Sequence, residues 1–404
     1  MSTDSIAQSS AIPASTQPSI RLTSLDAFRG TIMLYMASSG FGITQVAQKI
    51  QEPVWQTLAW WFDHVPWVGC SSWDMIQPSF MFMVGVALPY SYARRRSQGH
   101  PFGKIFGHAL VRSLILVLLA VFLASGSGKG TKWEFFNVLG QIGLGYSFLF
   151  LLVNRRCTLQ AGVAGAILVG YWLLFALYPM PAADFDYSKV GIKPDELASG
   201  VVLNSFFGHW SKNTNIAAAF DVWFLNLFPR TTPFEFNVGG YTTLNFVPSL
   251  ATMIFGLMCG ELLRSNRSQR DKLRILGIAG LVLLVAGALA GLAVCPIIKR
   301  IWTPSWALYS GGWIILLLAA FYWVIDIVGF KRWTYPLVVV GMNSIAIYLM
   351  SQLVRPWVGE RLRTHLGSGL FNGTYGPIAS ACLTLFVFWL ICWWMYRRKI
   401  FLRI

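Results

Sequence analysis

The sequence predicts an all-α polytopic membrane protein, a bundle of about ten transmembrane helices. Three observations predict it. Of the 404 residues, 55% are hydrophobic and only 12% charged, about half the charged share of a soluble domain. The mean hydropathy is +0.56. Apolar windows recur near residues 28–46, 74–93, 105–125, 135–153, 158–178, 243–263, 273–295, 305–328, 335–354 and 377–396, and roughly 20 apolar residues are enough to cross the hydrocarbon core.

The net charge of +16 would suit a nucleic-acid partner if the basic residues lined one face, but they fall in short clusters between the apolar windows. With the N-terminus in the cytoplasm, the inside loops hold Arg94, Arg95, Arg96, Lys104, Arg155, Arg156, Arg264, Arg267, Arg270, Lys272, Arg274, Lys331, Arg332, Arg397, Arg398, Lys399 and Arg403, with Arg21, Arg29 and Arg112 at span edges. These are 20 of the 32 Lys and Arg residues, in loops about half as long in total as the outside ones. The positive-inside rule accounts for that bias, so the bilayer is the expected partner and nucleic acid is not. An even number of spans returns the C-terminus to the cytoplasm. The six cysteines form no Cys-x-x-Cys or Cys/His spacing, which argues against a disulfide framework and against metal chemistry. Residues 1–20, rich in Ser, Thr, Gln and Ala, read as a disordered cytoplasmic tail rather than a signal sequence. Residues 21–404 read as one transmembrane domain with a long non-cytoplasmic segment at about 180–242.

The first span opens on Ser24-Leu25-Asp26-Ala27-Phe28-Arg29-Gly30, where Asp26 favours a helix N-terminus and pairs at i, i+3 spacing with Arg29. That is either a structural pair or part of an anion site. The second span carries Pro78 and Pro89 with Gln77, Gly85 and Ser91. Proline removes a backbone hydrogen bond and glycine permits close approach, so this span is expected to be broken and to line a cavity. Residues 277–294 are apolar or glycine throughout and read as a face for lipid or for a second subunit in a homodimer. The long outer segment sets His209, Trp210, Asn213, Asn215, Asp221, Trp223 and Asn237 close together. Aromatic faces beside amides and carboxylates suit a sugar, and equally suit an interfacial cap. Near the end, Asn343 and Ser344 lie inside a span, where a buried amide needs a helix partner or a ligand.

Every other element is placed relative to Asp63-His64-Val65-Pro66-Trp67-Val68-Gly69-Cys70-Ser71-Ser72-Trp73-Asp74. Ionisable groups at the edge of a membrane are costly and usually have a task, so the run reads as a reaction centre. The competing reading is an interfacial loop whose tryptophans anchor the boundary. On this assignment His64, with Asp63 or Asp74 beside it, would carry the chemistry, and Trp67, Gln77, Asn215 and Asp221 are candidates to hold the substrate. Asp26, Pro78 and Gly85 are structural.

These motifs together resemble the transmembrane acetyltransferases of the heparan-α-glucosaminide N-acetyltransferase type, whose bacterial branch includes proposed N-acetylglucosamine permeases. The resemblance rests on Ser24-Leu25-Asp26-x-Phe28-Arg29-Gly30, on His64-x-x-Trp67-x-Gly69 with Asp74-x-x-x-Pro78-x-Phe80-x-Phe82-x-x-Gly85, and on Gly341-Met342-Asn343-Ser344-Ile345. It implies an inner-membrane bundle in a bacterium that takes an acetyl group from cytosolic acetyl-CoA, used as a co-substrate, and passes it to an amino sugar or glycan on the periplasmic side. His64 matches the family's catalytic histidine and Asp74 its following acidic residue. Two positions depart from the family pattern: Gly40 stands where the acetyltransferases carry an asparagine, and Gln141 sits in Leu139-Gly140-Gln141-Ile142-Gly143, which lacks their arginine.

An imidazole titrates near neutral pH and can act as general base or as transient acyl carrier. Asp74 is the better candidate to orient it, because Asp63 is adjacent in sequence and consecutive helical side chains diverge. Arg29 and Arg112, near the cytoplasmic face, are candidates for the CoA phosphates, with Asn343 and Ser344 grouped with them. The rival function is an amino-sugar transporter built on discontinuous helices.

Overall fold

A computed structural model of the chain describes residues 22–126 and 130–402; the expected tail at 1–20 lies outside the described residues. Helices are joined by turns and loops, and no strand occurs among the described residues. Each of the ten apolar windows contains helix. We label the main helices α1 (Thr23–Ala37), α2 (Ile76–Ser97), α3 (Phe102–Ala124), α4 (Val138–Leu151), α5 (Cys157–Ala176), α6 (Phe246–Arg264), α7 (Gln269–Ala293), α8 (Pro304–Phe321), α9 (Tyr335–Gly341), α10 (Ser344–Leu353) and α11 (Gly376–Arg397).

Six or seven of the expected ten spans are long and apolar enough to cross a membrane. Among the described residues six helices are long and apolar enough to cross a membrane: Phe102–Ala124, Cys157–Ala176, Thr243–Arg264, Gln269–Ala293, Pro304–Ile327 and Gly376–Arg397. The pair Arg332–Gly341 and Ser344–Leu353, bent by 65°, makes a seventh if counted as one span. The other three windows fall short for physical reasons. Helix α1 has 15 residues and α4 has 14, about 21–23 Å at 1.5 Å per residue against a hydrocarbon core of about 30 Å. Helix α2 has 22 residues but ends on Arg94, Arg95 and Arg96 and starts with Gln77 and Ser79. These three helices, short or polar, all contribute walls to the cavity described below, together with α10.

The break in the bundle is not where the prolines are. Helix α2 runs unbroken through Pro78 and Pro89. Pro78 sits in its first turn, where the missing N–H has no helical acceptor to lose. The chain bends instead at Met342–Asn343, between α9 and α10.

Close crossings hold the centre together. Helix α2 meets α6 backbone to backbone: a Cβ added at Gly85 would lie 1.9 Å from the Met253 carbonyl oxygen, and one at Gly256 would lie 2.0 Å from that of Phe82. Only glycine permits such an approach, the usual device where lipid supplies no hydrophobic drive between helices. A main apolar core including Phe28, Phe82, Met253, Ile254 and Trp306 fills the bundle. Helix α7 packs on α8 and leaves Leu281, Val285, Leu289 and Leu292 exposed.

The segment after α5 folds over one end of the bundle. Its second core gathers Trp210, Ile192 and Val201 with Trp67, Phe175 and Ile298, so it is a packed cap. The clusters Arg94–Arg96, Arg264 and Arg397 mark the opposite end.

Candidate active site

The loop after Trp61 owes its shape to local chemistry. Pro53 opens the helix Pro53–Trp61, and Pro66 together with Gly69, at φ +122°, keeps the following residues out of helix. The Asp63 carboxylate accepts the His64 N–H at 2.7 Å, and the Ser71 hydroxyl reaches the Asp63 carbonyl at 2.6 Å, closing the loop on itself. A short 3₁₀ turn, Trp73–Met75, then leads into α2. Asp74 is thereby folded back beneath His64, ten residues earlier.

Asp74 is buried at 1% exposure. Its Oδ2 accepts the backbone N–H groups of Val65 and Ser71 at 3.2 Å each, with the Ser71 hydroxyl at 3.0 Å. Its Oδ1 lies 2.7 Å from His64 Nδ1 and 3.2 Å from Lys299 Nζ, and Lys299 Nζ is 3.1 Å from the same ring nitrogen. Burial alone would raise the Asp74 carboxyl; the His64 hydrogen bond, the Lys299 charge and the Val65 N–H outweigh it and hold the group well below the usual carboxylate range. An ionised Asp74 cannot donate, so Nδ1 carries the proton that joins them, and the Lys299 ammonium donates to the carboxylate rather than to the ring. The lone pair is left on Nε2, the edge of a half-buried ring that lines the cavity. Asp63 touches the His64 backbone, not its imidazole.

Lys299 is itself buried, at 4% exposure. The loop that carries it is held from both sides. Ile297 accepts the Gly69 N–H at 2.9 Å, and Thr303, the N-cap of α8, takes the Ile298 N–H at 3.0 Å. The neighbouring Arg300 donates to Gly239 O at 2.7 Å and Val65 O at 3.4 Å, tying the cap and the histidine loop to the lysine loop. Its guanidinium lies 5.5 Å from the Tyr241 ring centre.

The triad opens on a cavity of about 520 Å³, within the range of small-molecule sites. Its walls come from the end of α1 (Met36, Ser39), the start of α2 (Ile76, Gln77, Phe80), the start of α4 (Asn137, Val138), the end of α10 (Tyr348, Ser351, Gln352) and Arg355, with His64, Trp73, Phe136, Tyr241 and Lys299. Aromatic faces alternate with amides. Gln77 donates to Gln141 at 3.1 Å, and Gln141 in turn to Phe136 O at 3.2 Å. Gly40 adopts φ +64° in the turn after α1, beside the cavity-lining Ser39.

The sequence-predicted residues divide. His64, Asp74 and Gln77 come together here. Trp67, Asn215 and Asp221 do not line the cavity. Trp67 is buried at 1% and donates to Trp210 O at 3.0 Å; Asn215 caps the helix Ile216–Leu225 through Ala217 N and Ala218 N; Asp221 accepts the Thr243 N–H at 2.9 Å. Burial pushes the Asp221 carboxyl up to about 7 against the Thr243 hydrogen bonds and the Arg230 charge. Arg29, Arg112, Asn343 and Ser344 also lie away from this cavity. Arg112 donates to the Tyr146 hydroxyl at 3.3 Å and stands over its ring. The Asn343 side-chain oxygen accepts Leu402 N–H at 3.3 Å, and Ser344 opens α10. Asp26 faces Gly341, whose Cβ would fall 2.0 Å from the Asp26 carbonyl oxygen. Pro78 is buried in the first turn of α2.

Sequence reasoning missed Lys299 and Arg355. Lys299 is 225 residues from Asp74, and its one sequence signal was a Lys299-Arg300 pair set among Pro296, Ile297, Ile298, Ile301 and Trp302 on the side of the membrane expected to be poor in cations. All six cysteines are free, and among the described residues no three His, Cys, Asp or Glu side chains gather as metal ligands.

No protein-family model matches the chain. It is similar to heparan-alpha-glucosaminide N-acetyltransferase of Homo sapiens, 22% identical over 436 aligned positions covering 95% of this chain, and to the Mus musculus enzyme of the same name, 22% identical over 428. The chain spans about 60% of the length of these relatives. The similarity to heparan-alpha-glucosaminide N-acetyltransferase is distant and runs along 95% of this chain.

Proposed function

We propose that the protein is a transmembrane acetyltransferase that moves an acetyl group from acetyl-CoA to an amino sugar or related saccharide. The observation that carries this is the His64–Asp74–Lys299 geometry: an imidazole fixed through Nδ1, on a ring that lines a cavity of about 520 Å³. In the reaction His64 Nε2 takes the proton of the acceptor amine as that nitrogen bonds to the thioester carbonyl carbon. The carbon–sulfur bond then breaks, and the same proton passes to the departing thiolate. Amine and thioester become amide and thiol, and His64 returns to its starting state. Asp74 holds the tautomer and stabilises the imidazolium that forms; Lys299 balances the Asp74 charge in the resting site.

Acetyl-CoA supplies the activated acyl group. Arg112 Nε and Asn343 Nδ2, buried donors without a partner among the described residues, fit its phosphate and amide acceptors, and the Asn343 side chain lies at the chain's C-terminal end, against Leu402. The basic clusters at that end support a cytoplasmic placement, with His64 facing the periplasm of a bacterial inner membrane. Purified protein given labelled acetyl-CoA and a panel of amino sugars tests the reading. We expect transfer by the native chain and a loss of about 10²–10⁴-fold in His64→Ala. Absence of transfer to every acceptor, or unchanged transfer in the variant, overturns it.

A sugar-transport reading draws on one observation, the 65° break between α9 and α10, since transporters bind substrate at discontinuous helices. Uptake of labelled N-acetylglucosamine into proteoliposomes without CoA, intact in His64→Ala, would favour it over transfer.

A further inference from the structure

The helix Pro53–Trp61 stands directly before the His64 loop, and none of its nine residues is buried. It carries no charged residue. Val54, Leu58 and Trp61 recur at i, i+4 and i+7, which puts them on one face. All three are exposed, as is Trp60, the two indoles at 48% and 46%. A helix this short is marginal in water on its own, and a contiguous exposed apolar face marks a surface that something covers. The tryptophans of the loop itself have no such role. Trp67 is buried, and Trp73 packs edge-on against Tyr35 and lines the cavity.

The level of this helix is fixed by the start of α11, a spanning helix. The Trp55 ring lies 5.8 Å from that of Tyr375, the residue that precedes α11. Gln56 donates to Ala47 O at 2.8 Å, which joins Pro53–Trp61 to the short helix Ile43–Lys49, and Lys49 Nζ donates to Gly373 O at 3.3 Å. A Cβ added at Gly42 would lie 2.5 Å from the Pro377 carbonyl carbon. A spanning helix enters the hydrocarbon within its first turns, so these contacts put Pro53–Trp61 at the lipid–water boundary. We propose that Pro53–Trp61 is an interfacial helix whose Val54, Leu58, Trp60 and Trp61 side chains rest in the headgroup region of the bilayer and set the level of the His64 loop. Trp61 O accepts the Ser72 hydroxyl at 2.6 Å, so both ends of that loop are tied to the last residue of the helix. Tryptophan favours this boundary. The helix has no Lys or Arg and is flanked by Glu52 and Asp63, so its seating is apolar and does not call for anionic lipid. A second copy of the chain is the poorer occupant, because a stable interface takes about 20–30 residues a side and this face offers four. The inference needs only that the chain spans a membrane, and it holds whether or not acetyl transfer occurs.

The test uses the full-length protein in nanodiscs of phosphatidylcholine, with a diazirine-bearing residue placed at position 58 or 60, at Leu289 on the exposed face of α7, or at Asp195 in the cap. After irradiation, mass spectrometry identifies what each position has captured. Positions 58 and 60 should give phospholipid adducts at about the yield of position 289 and roughly tenfold or more above position 195. Added anionic lipid or raised salt should leave that yield unchanged. Chain-to-chain adducts from position 58 or 60, capture of water alone, or a requirement for anionic lipid overturns the proposal. The unmodified chain supplies a check that no substitution disturbs. Trp60 and Trp61 should be shielded from hydroxyl-radical oxidation in nanodiscs, and oxidation as extensive as at exposed cap residues overturns the proposal.

Discussion

Replacing Asp74 by Asn removes one charge and almost no volume, and the structure sets the size of the effect. The Asp74–Lys299 contact at 3.2 Å joins side chains that are 2% and 5% exposed. Coulomb's law at an effective dielectric of about 20 gives roughly 5 kcal/mol of gross attraction at that distance. The net loss on leaving Lys299 buried and unpaired is about 3–5 kcal/mol. The Asn amide keeps an oxygen for Val65 N and Ser71 N, and then turns its NH₂ toward His64 Nδ1. The ring must accept there, its proton moves to Nε2, and the cavity faces a donor in place of a base. Asp74→Asn is therefore expected to lose about 10²–10⁴-fold in acetyl transfer together with stability. Adding Lys299→Met should recover about 2–5 kcal/mol of stability, because no charge is then stranded, without recovering activity. Thermal unfolding in detergent and label transfer on the single and double variants read the two effects separately. The pH dependence has a definite sign. The folded Asp74 carboxyl lies below its ordinary range, so its contribution is present above about pH 4 and is lost only as the pH falls through the depressed value. The part of the gap between native and Asp74→Asn that comes from the carboxylate should close in strong acid. A single variant that transfers within about threefold of native, or a double variant no more stable than the single, would refute the charge-pairing account.

Asp221 should behave in the opposite sense. Its folded value is raised to about 7, so its neutral form is favoured in the cap, and that stability is present below the ordinary carboxylate range and lost as the pH rises through 7. The change is at most about 4 kcal/mol; Asp221→Asn should flatten unfolding temperature between pH 5 and 8, and an unchanged slope would contradict the assignment. At the α2–α6 crossing, Gly256→Ala places a methyl against the Phe82 backbone and is expected to cost about 1–3 kcal/mol or more. Gly103→Ala, with nothing within 4 Å of its Cβ, should be neutral or mildly stabilising, and equal yields of the two folded variants would argue against the close crossing.

How much of this was legible depends on the range of the interaction. His64 and Asp74 share one loop, so their pairing needed only a turn built by Pro66 and Gly69. Lys299 lies on the far side of more than half the chain, and no local pattern announces which loop folds beside which. The helical windows were readable because apolarity is local. Their number as spans was not, since α1 and α4 are cut short and α2 carries polar residues in order to open the cavity. Prolines at 78 and 89 suggested a break; Pro78 falls in the first turn and the helix continues through Pro89, while Gly341-Met342-Asn343, with no proline, holds the bend. Trp67, Asn215 and Asp221 show the ambiguity of an aromatic and polar sequence: Trp beside Asn suits a sugar platform and a buried cap alike, and here burial and capping hydrogen bonds place them within the cap.

On the proposed reading the protein moves an acetyl group to a saccharide across the membrane with His64 as the base. Proteoliposomes with labelled acetyl-CoA on one side and an unlabelled amino sugar trapped on the other test it most directly. Labelled N-acetylated sugar is expected on the acceptor side with the native protein, and about 10²–10⁴-fold less with His64→Ala. Sugar that crosses the bilayer unmodified, with the label remaining on CoA, would contradict it.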